Sequence, residues 1–161
     1  MKKRFFLVTL LLMLALLACC SVALADDDVP PAEMISDNLH FSCVEWHRDV
    51  MTIADDAFAL TRATASISKK DSTHVAVRGV TQANDICYLI GGSMTVQRWK
   101  DNKWNYYTSA SYNDRSTNKV TGEFTLTVES GYYYRLVVDH YAHSNSGSAY
   151  GTSTTNSVLV K

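Results

Sequence analysis

The sequence predicts an all-β fold, an antiparallel sandwich of about seven strands forming one domain. Three observations carry that expectation. Apolar and polar side chains alternate with a two-residue period over most of the chain after Thr61. Short extended runs are divided by clusters of Asn, Asp, Gly and Lys, and no amphipathic helical period lies between them. Beyond Pro31 there is no proline, so every interior residue can donate to a sheet ladder.

The N-terminus reads differently. Lys2, Lys3 and Arg4 precede an apolar run over residues 5–18 that is interrupted only by Thr9. This run is shorter than the roughly 18 or more residues of a membrane span. Ala23-Leu24-Ala25 then supplies the small residues a signal peptidase reads, which predicts a signal peptide over residues 1–25 and a secreted, extracellular product. A competing reading takes Leu16-Leu17-Ala18-Cys19 as a lipobox; Cys19 would then carry a lipid anchor and make the protein a membrane-anchored lipoprotein.

Cleavage after Ala25 removes three of the 15 basic residues and none of the 16 acidic ones, leaving 12 − 16 = −4. A mildly acidic product argues against a nucleic-acid or anionic-lipid partner, both of which reward clustered Lys and Arg. The about 136 residues that remain suffice for one hydrophobic core. Of the four cysteines, Cys43 and Cys87 survive cleavage. An even pair in an oxidising compartment predicts a Cys43–Cys87 disulfide, with two buried free thiols as the alternative.

Residues 26–38 read as an acidic, proline-bearing linker, too poor in apolar side chains to offset ordering entropy. The sandwich domain takes in residues 39–161, of which 39–60 give a mixed signal. Phe41, Cys43 and Glu45 suit a short edge strand, residues 50–53 suit another, and residues 55–60 could form a short helix.

From there the alternation is sustained. Ala63, Ala65 and Ile67 share one face, and Lys69-Lys70-Asp71-Ser72 makes a turn into a strand over residues 74–81. A short strand through Ile86, Tyr88 and Ile90 precedes Gly91-Gly92, or else the glycines mark a bulge in one longer strand. Residues 94–99 and 104–109 form a hairpin across Lys100-Asp101-Asn102-Lys103, because Asp and Asn accept the left-handed conformations of a tight turn. Strands follow at residues 122–128, 132–141 and 157–160. Residues 143–157, rich in Ser, Thr, Asn and Gly, form a long hairpin or a polar edge strand.

The most specific local pattern is Val128-x-Ser130-Gly131-x-x-Tyr134-x-Leu136-x-Val138. It resembles the tyrosine corner of immunoglobulin-like and fibronectin type III sandwiches, which makes Tyr134 the expected corner residue and the fold immunoglobulin-like. Here Ser130 replaces the usual corner proline. Over residues 61–160 the chain also resembles a family of small secreted proteins of Gram-positive gut bacteria whose function is unknown. That resemblance is carried by Ala65-Ser66-Ile67-Ser68, by residues 96–104 and by Gly131-Tyr132-Tyr133-Tyr134-Arg135-Leu136. It implies export and a sandwich, and brings no catalytic residue or cofactor.

Candidate chemistry is thin. His140 and His143, three apart on a strand, point to opposite faces and could converge on a metal only where the strand has already turned. Ser144, Ser146 and Ser148 lie near His140 and Asp139 without a nucleophile elbow. Neither catalysis nor a cofactor is expected. Trp99, Trp104, Tyr107, Tyr133 and Tyr141 form the candidate binding surface, since rigid rings offer contact area at low entropic cost. The expected class is therefore a non-catalytic binding or interaction module at or beyond the cell surface, its partner an unknown protein or glycan. The alternative is a secreted, bacteriocin-like antagonistic factor. Mass spectrometry of the exported protein should find Asp26 at its N-terminus; a lipidated Cys19 would overturn the soluble assignment.

Overall fold

The computed structural model describes residues 29–30, the backbone of residues 41–45, and residues 58–161. The expected signal peptide with Cys19, the expected strand at residues 50–53 and most of the expected linker lie outside the described residues. Among the described residues, nine antiparallel strands make two layers: β1 (Phe41–Glu45), β2 (Leu60–Lys69), β3 (His74–Cys87), β4 (Leu89–Lys100), β5 (Lys103–Asp114), β6 (Thr117–Thr127), β7 (Tyr132–Ser144), β8 (Gly147–Thr154) and β9 (Val158–Val160). One sheet has the order β1-β2-β3-β6; the other runs β5-β4-β7-β8, with β9 also on β7.

The chain changes layer three times. It does so at Tyr88, the one residue between β3 and β4, at Arg115 and Ser116 between β5 and β6, and over residues 128–131 between β6 and β7. β3 pairs with β6 and β4 with β7, the connectivity of an immunoglobulin-like sandwich. The strand number exceeds the expected seven for two reasons. β1 adds to the outside of β2, and the last edge is broken into β8 and β9 where Thr155 bonds Leu136 through both its backbone N–H and its hydroxyl.

Gly91 and Gly92 lie inside β4, in unbroken register with β5 and β7, and do not end a strand. Residues 147–154 form a polar edge strand. Leu60 begins β2, so the expected helix does not reach that residue. The expected disulfide is corrected: Cys87 is a free, buried thiol. The β1 register sets Cys43 opposite Ser66, and Ser66 opposite Arg78, nine positions from Cys87 along β3. A disulfide spans Cα atoms no more than about 7 Å apart.

Alternation builds the core. Ala65 and Ile67 of β2 and Val75 and Val77 of β3 face Met94 and Val96 of β4 and Leu136 and Val138 of β7, with Val158 and Val160 closing one side. Each such Val, Leu or Ile contributes about 1.5–3 kcal/mol by leaving water. A second, smaller cluster holds Leu60, Ala63, Ala83, Cys87, Ile90 and Ala142.

Turn chemistry fixes the hairpins. Asp101 and Asn102 take φ of 55° and 57°, the paired left-handed residues of a type I′ turn, so Lys100 meets Lys103. At the corner between β6 and β7, Gly131 has φ of 93° and donates its N–H to the Val160 carbonyl. Tyr134, fully buried, donates its hydroxyl to the Glu129 carbonyl at 2.8 Å and accepts the Glu129 N–H at 3.0 Å. Arg98 covers this corner. Its guanidinium lies over the Tyr107 and Tyr132 rings and pairs with the Glu129 carboxylate at 2.7 Å.

Tyr134→Phe keeps the ring and deletes both corner bonds, so it should cost about 1–2 kcal/mol, read as a lower denaturant midpoint at unchanged slope. Tyr133→Phe, on the outward side, should stay within about 0.5 kcal/mol. Equal effects from the two substitutions would show that the corner bonds contribute nothing.

Candidate functional site

Two places in the sandwich gather groups that could do chemistry or bind. The first is internal. Between the two apolar clusters a polar chain joins the sheets: Tyr112 Oη meets Thr81 Oγ1 at 2.9 Å, Thr81 Oγ1 meets His140 Nδ1 at 2.8 Å, and His140 Nε2 meets Ser153 Oγ at 2.8 Å. Ser153 gives its proton to the Ala63 carbonyl. Because the Ser153 proton is committed, His140 carries its hydrogen on Nε2 and accepts on Nδ1, where the Thr81 hydroxyl at 2.8 Å and the Tyr112 hydroxyl at 3.3 Å both reach it; Thr81 Oγ1 also donates to the Gly91 carbonyl at 3.1 Å.

Glycines make room for this layer. A Cβ on Gly79 or Gly92 would stand 2.7 Å from the Tyr112 hydroxyl, and one on Gly122 would collide with the ring. Tyr112, from β5, thus lies in a slot floored by glycines of β3, β4 and β6. Burial pushes its hydroxyl up to about 12, opposed by the hydrogen bond with Thr81.

A serine beside a histidine suggests a nucleophile, but this pair is closed. His140 and Ser153 are each 1% exposed, and the serine proton is already committed to backbone. The pair orders the interior and meets no substrate.

The second place is the outward face of the five-stranded sheet. Register sends Tyr133, Arg135, Val137, Asp139, Tyr141 and His143 outward along β7, opposite the core positions from Tyr134 to Ala142. Its centre is polar: Ser93 lies between Ser111 and Asp139, and Asp139 accepts the Thr152 hydroxyl at 2.7 Å. Aromatic rings occupy the two ends.

The structure does not bring the five expected surface aromatics together. Trp99 and Trp104 meet edge to face at 5.2 Å, Trp99 is buried, and Arg135 covers Trp104 at 4.5 Å. A register shift beside Val96 leaves Tyr107 unpaired and directs it to the core, edge-on to Tyr134 at 5.4 Å. Tyr133 is half-buried opposite Leu159. Tyr141 lies at the far end, six positions from Arg135 along β7, or roughly 20 Å of strand.

At that far end Tyr141 joins three residues that sequence reasoning left out. His143 stacks on Tyr88 at 6.1 Å and on Tyr141 at 5.8 Å, and meets Tyr150 edge-on at 5.6 Å. Ser148 fixes the imidazole through Nδ1 at 2.8 Å. Tyr88 is 57% exposed and Tyr150 66%. Tyr141 lies across β4 at Gly91, where a Cβ would stand 2.6 Å from its hydroxyl. The signal for Tyr150 was its isolation in a polar stretch: a lone ring on an outward position of an edge strand has no core to fill.

Among the described residues, no three His, Cys, Asp or Glu come together as metal ligands, and no helix is long and apolar enough to cross a membrane. No family model, curated protein or solved structure matches the chain.

The internal layer gives a pH-dependent stability. Burial pushes the His140 pKa down to about 4, against a smaller upward pull from Asp139. The unfolded chain, with its histidine near 6.5, binds that proton more readily than the folded one. This contribution is thus complete above about pH 6.5 and falls by about 3 kcal/mol as the pH drops to 4. His140→Gln should lower stability at pH 7 and flatten the change between pH 7 and 4.5, measured by denaturant melts; an unchanged slope would disprove the assignment.

Proposed function

We propose that the chain is an exported, non-catalytic binding module that engages its partner through the outward face of the five-stranded sheet. One observation carries this reading: Tyr88, Tyr141, His143 and Tyr150 form a continuous ring cluster whose outer members are more than half exposed. Rings placed to stabilise the fold pack into it, as Tyr134 and Tyr112 do. Leaving two tyrosines open on a rigid sheet costs solvation and is repaid when a partner covers them.

The sheet supports the function in a second way. All four rings stand on or beside strands in the register of β4, β7 and β8, so the cluster is ordered before any partner arrives and little entropy is lost on binding. Export rests on the N-terminal reading: Lys2, Lys3 and Arg4, the apolar run over residues 5–18, and the small residues Ala23 and Ala25.

The test is an array of glycans and purified extracellular proteins. The protein should give a saturable signal that a Tyr88→Ala/Tyr150→Ala double variant loses and Tyr106→Ala, at the opposite edge of the sheet, keeps. Growth inhibition of neighbouring cells with no array signal would replace this reading with that of an antagonistic factor.

A further inference from the structure

Resting on that reading, we infer that the ring cluster is a subsite for a neutral carbohydrate, with Tyr88, Tyr141 and Tyr150 supplying stacking surfaces and the adjoining Ser and Asn side chains the hydrogen bonds. A pyranose has an apolar face of C–H groups and a rim of hydroxyls. A surface that recognises it must set open aromatic faces beside short donors and acceptors, the pairing that Tyr with Ser and Asn provides in adaptable binding sites.

This end of the sheet has that composition. Gly91 provides the platform: lacking a side chain, it lets Tyr141 lie down across β4 with its hydroxyl beside Asn113. Tyr88 lies within 18° and Tyr141 within 30° of the His143 plane, so three rings run nearly parallel, while Tyr150 stands across them. Exposed Ser93, Ser111, Asn113 and Thr152 lie next in register toward the centre of the face.

Charge selects the ligand class. The outward positions of β4 from Leu89 to Thr95, and those of β7 and β8 that pair alongside, include Asp139 and no Lys or Arg. An anionic sugar, a phosphate or a nucleic acid would meet a carboxylate and find no cation. A protein partner would need about 800 Å² per side around an apolar centre. The centre here is Ser93, Thr95 and Asp139, the last already bonded to Thr152. A sugar ring needs much less area and tolerates a wet, polar surround.

Affinity electrophoresis tests this with the purified protein in native gels cast with barley β-glucan, xylan, galactomannan or, as an anionic comparison, polygalacturonate. At least one neutral polymer should retard the protein. Tyr88→Ala and Tyr150→Ala should each weaken that retardation about tenfold or more, and Tyr106→Ala should leave it unchanged. Circular dichroism checks that all three variants keep the β-sheet spectrum. Retardation by polygalacturonate alone, by no polymer at all, or to the same extent in all variants would overturn the carbohydrate assignment. An array signal confined to protein spots, lost in the double variant, would do so while leaving the binding-module reading intact.

Discussion

The sandwich depends on how it accommodates Tyr112. A tyrosine from an edge strand enters between the layers because Gly79, Gly92 and Gly122 carry no side chains where its ring must lie. Once there, its hydroxyl needs a partner, since an unpaired polar group in the interior costs several times what a hydrogen bond returns. Thr81, His140 and Ser153 meet that need in sequence and end on the Ala63 backbone. The result is a polar seam that separates the two apolar clusters. Apolar packing alone lets sheets slide with little penalty; a directional chain between β2, β3, β5, β7 and β8 permits one alignment.

Much of this architecture was legible in the residues. Strict alternation in 63–67, 75–77 and 134–138 needed only the geometry of an extended chain to assign core and solvent faces. Asp101-Asn102 announced its turn, because those two side chains tolerate the required φ. The spacing of Tyr134 ahead of Leu136 and Val138 pointed to the corner where its hydroxyl now meets Glu129. The fold class followed from such local rules.

Other features were invisible for a physical reason: they rest on register between distant strands. Tyr107 looked like a surface ring until the shift at Val96 turned it inward. Cys43 and Cys87 made an even pair, yet the pairing of β1 with β2 and β3 leaves them apart. The glycines that cradle Tyr112 are scattered over three strands, and nothing local marks them as one slot. The ring cluster likewise takes Tyr88 from a crossover, His143 from β7 and Tyr150 from an edge strand; pairwise alternation cannot assemble such a set.

Tyr88 occupies the shortest of the three steps by which the chain passes between the layers. A partner stacked on its ring would pull on a residue flanked directly by β3 of one sheet and β4 of the other, so tension applied there would be shared by the ladders of both. Under an applied pull, such an attachment point would load the whole sandwich at once, where a ring on a long loop would peel away first.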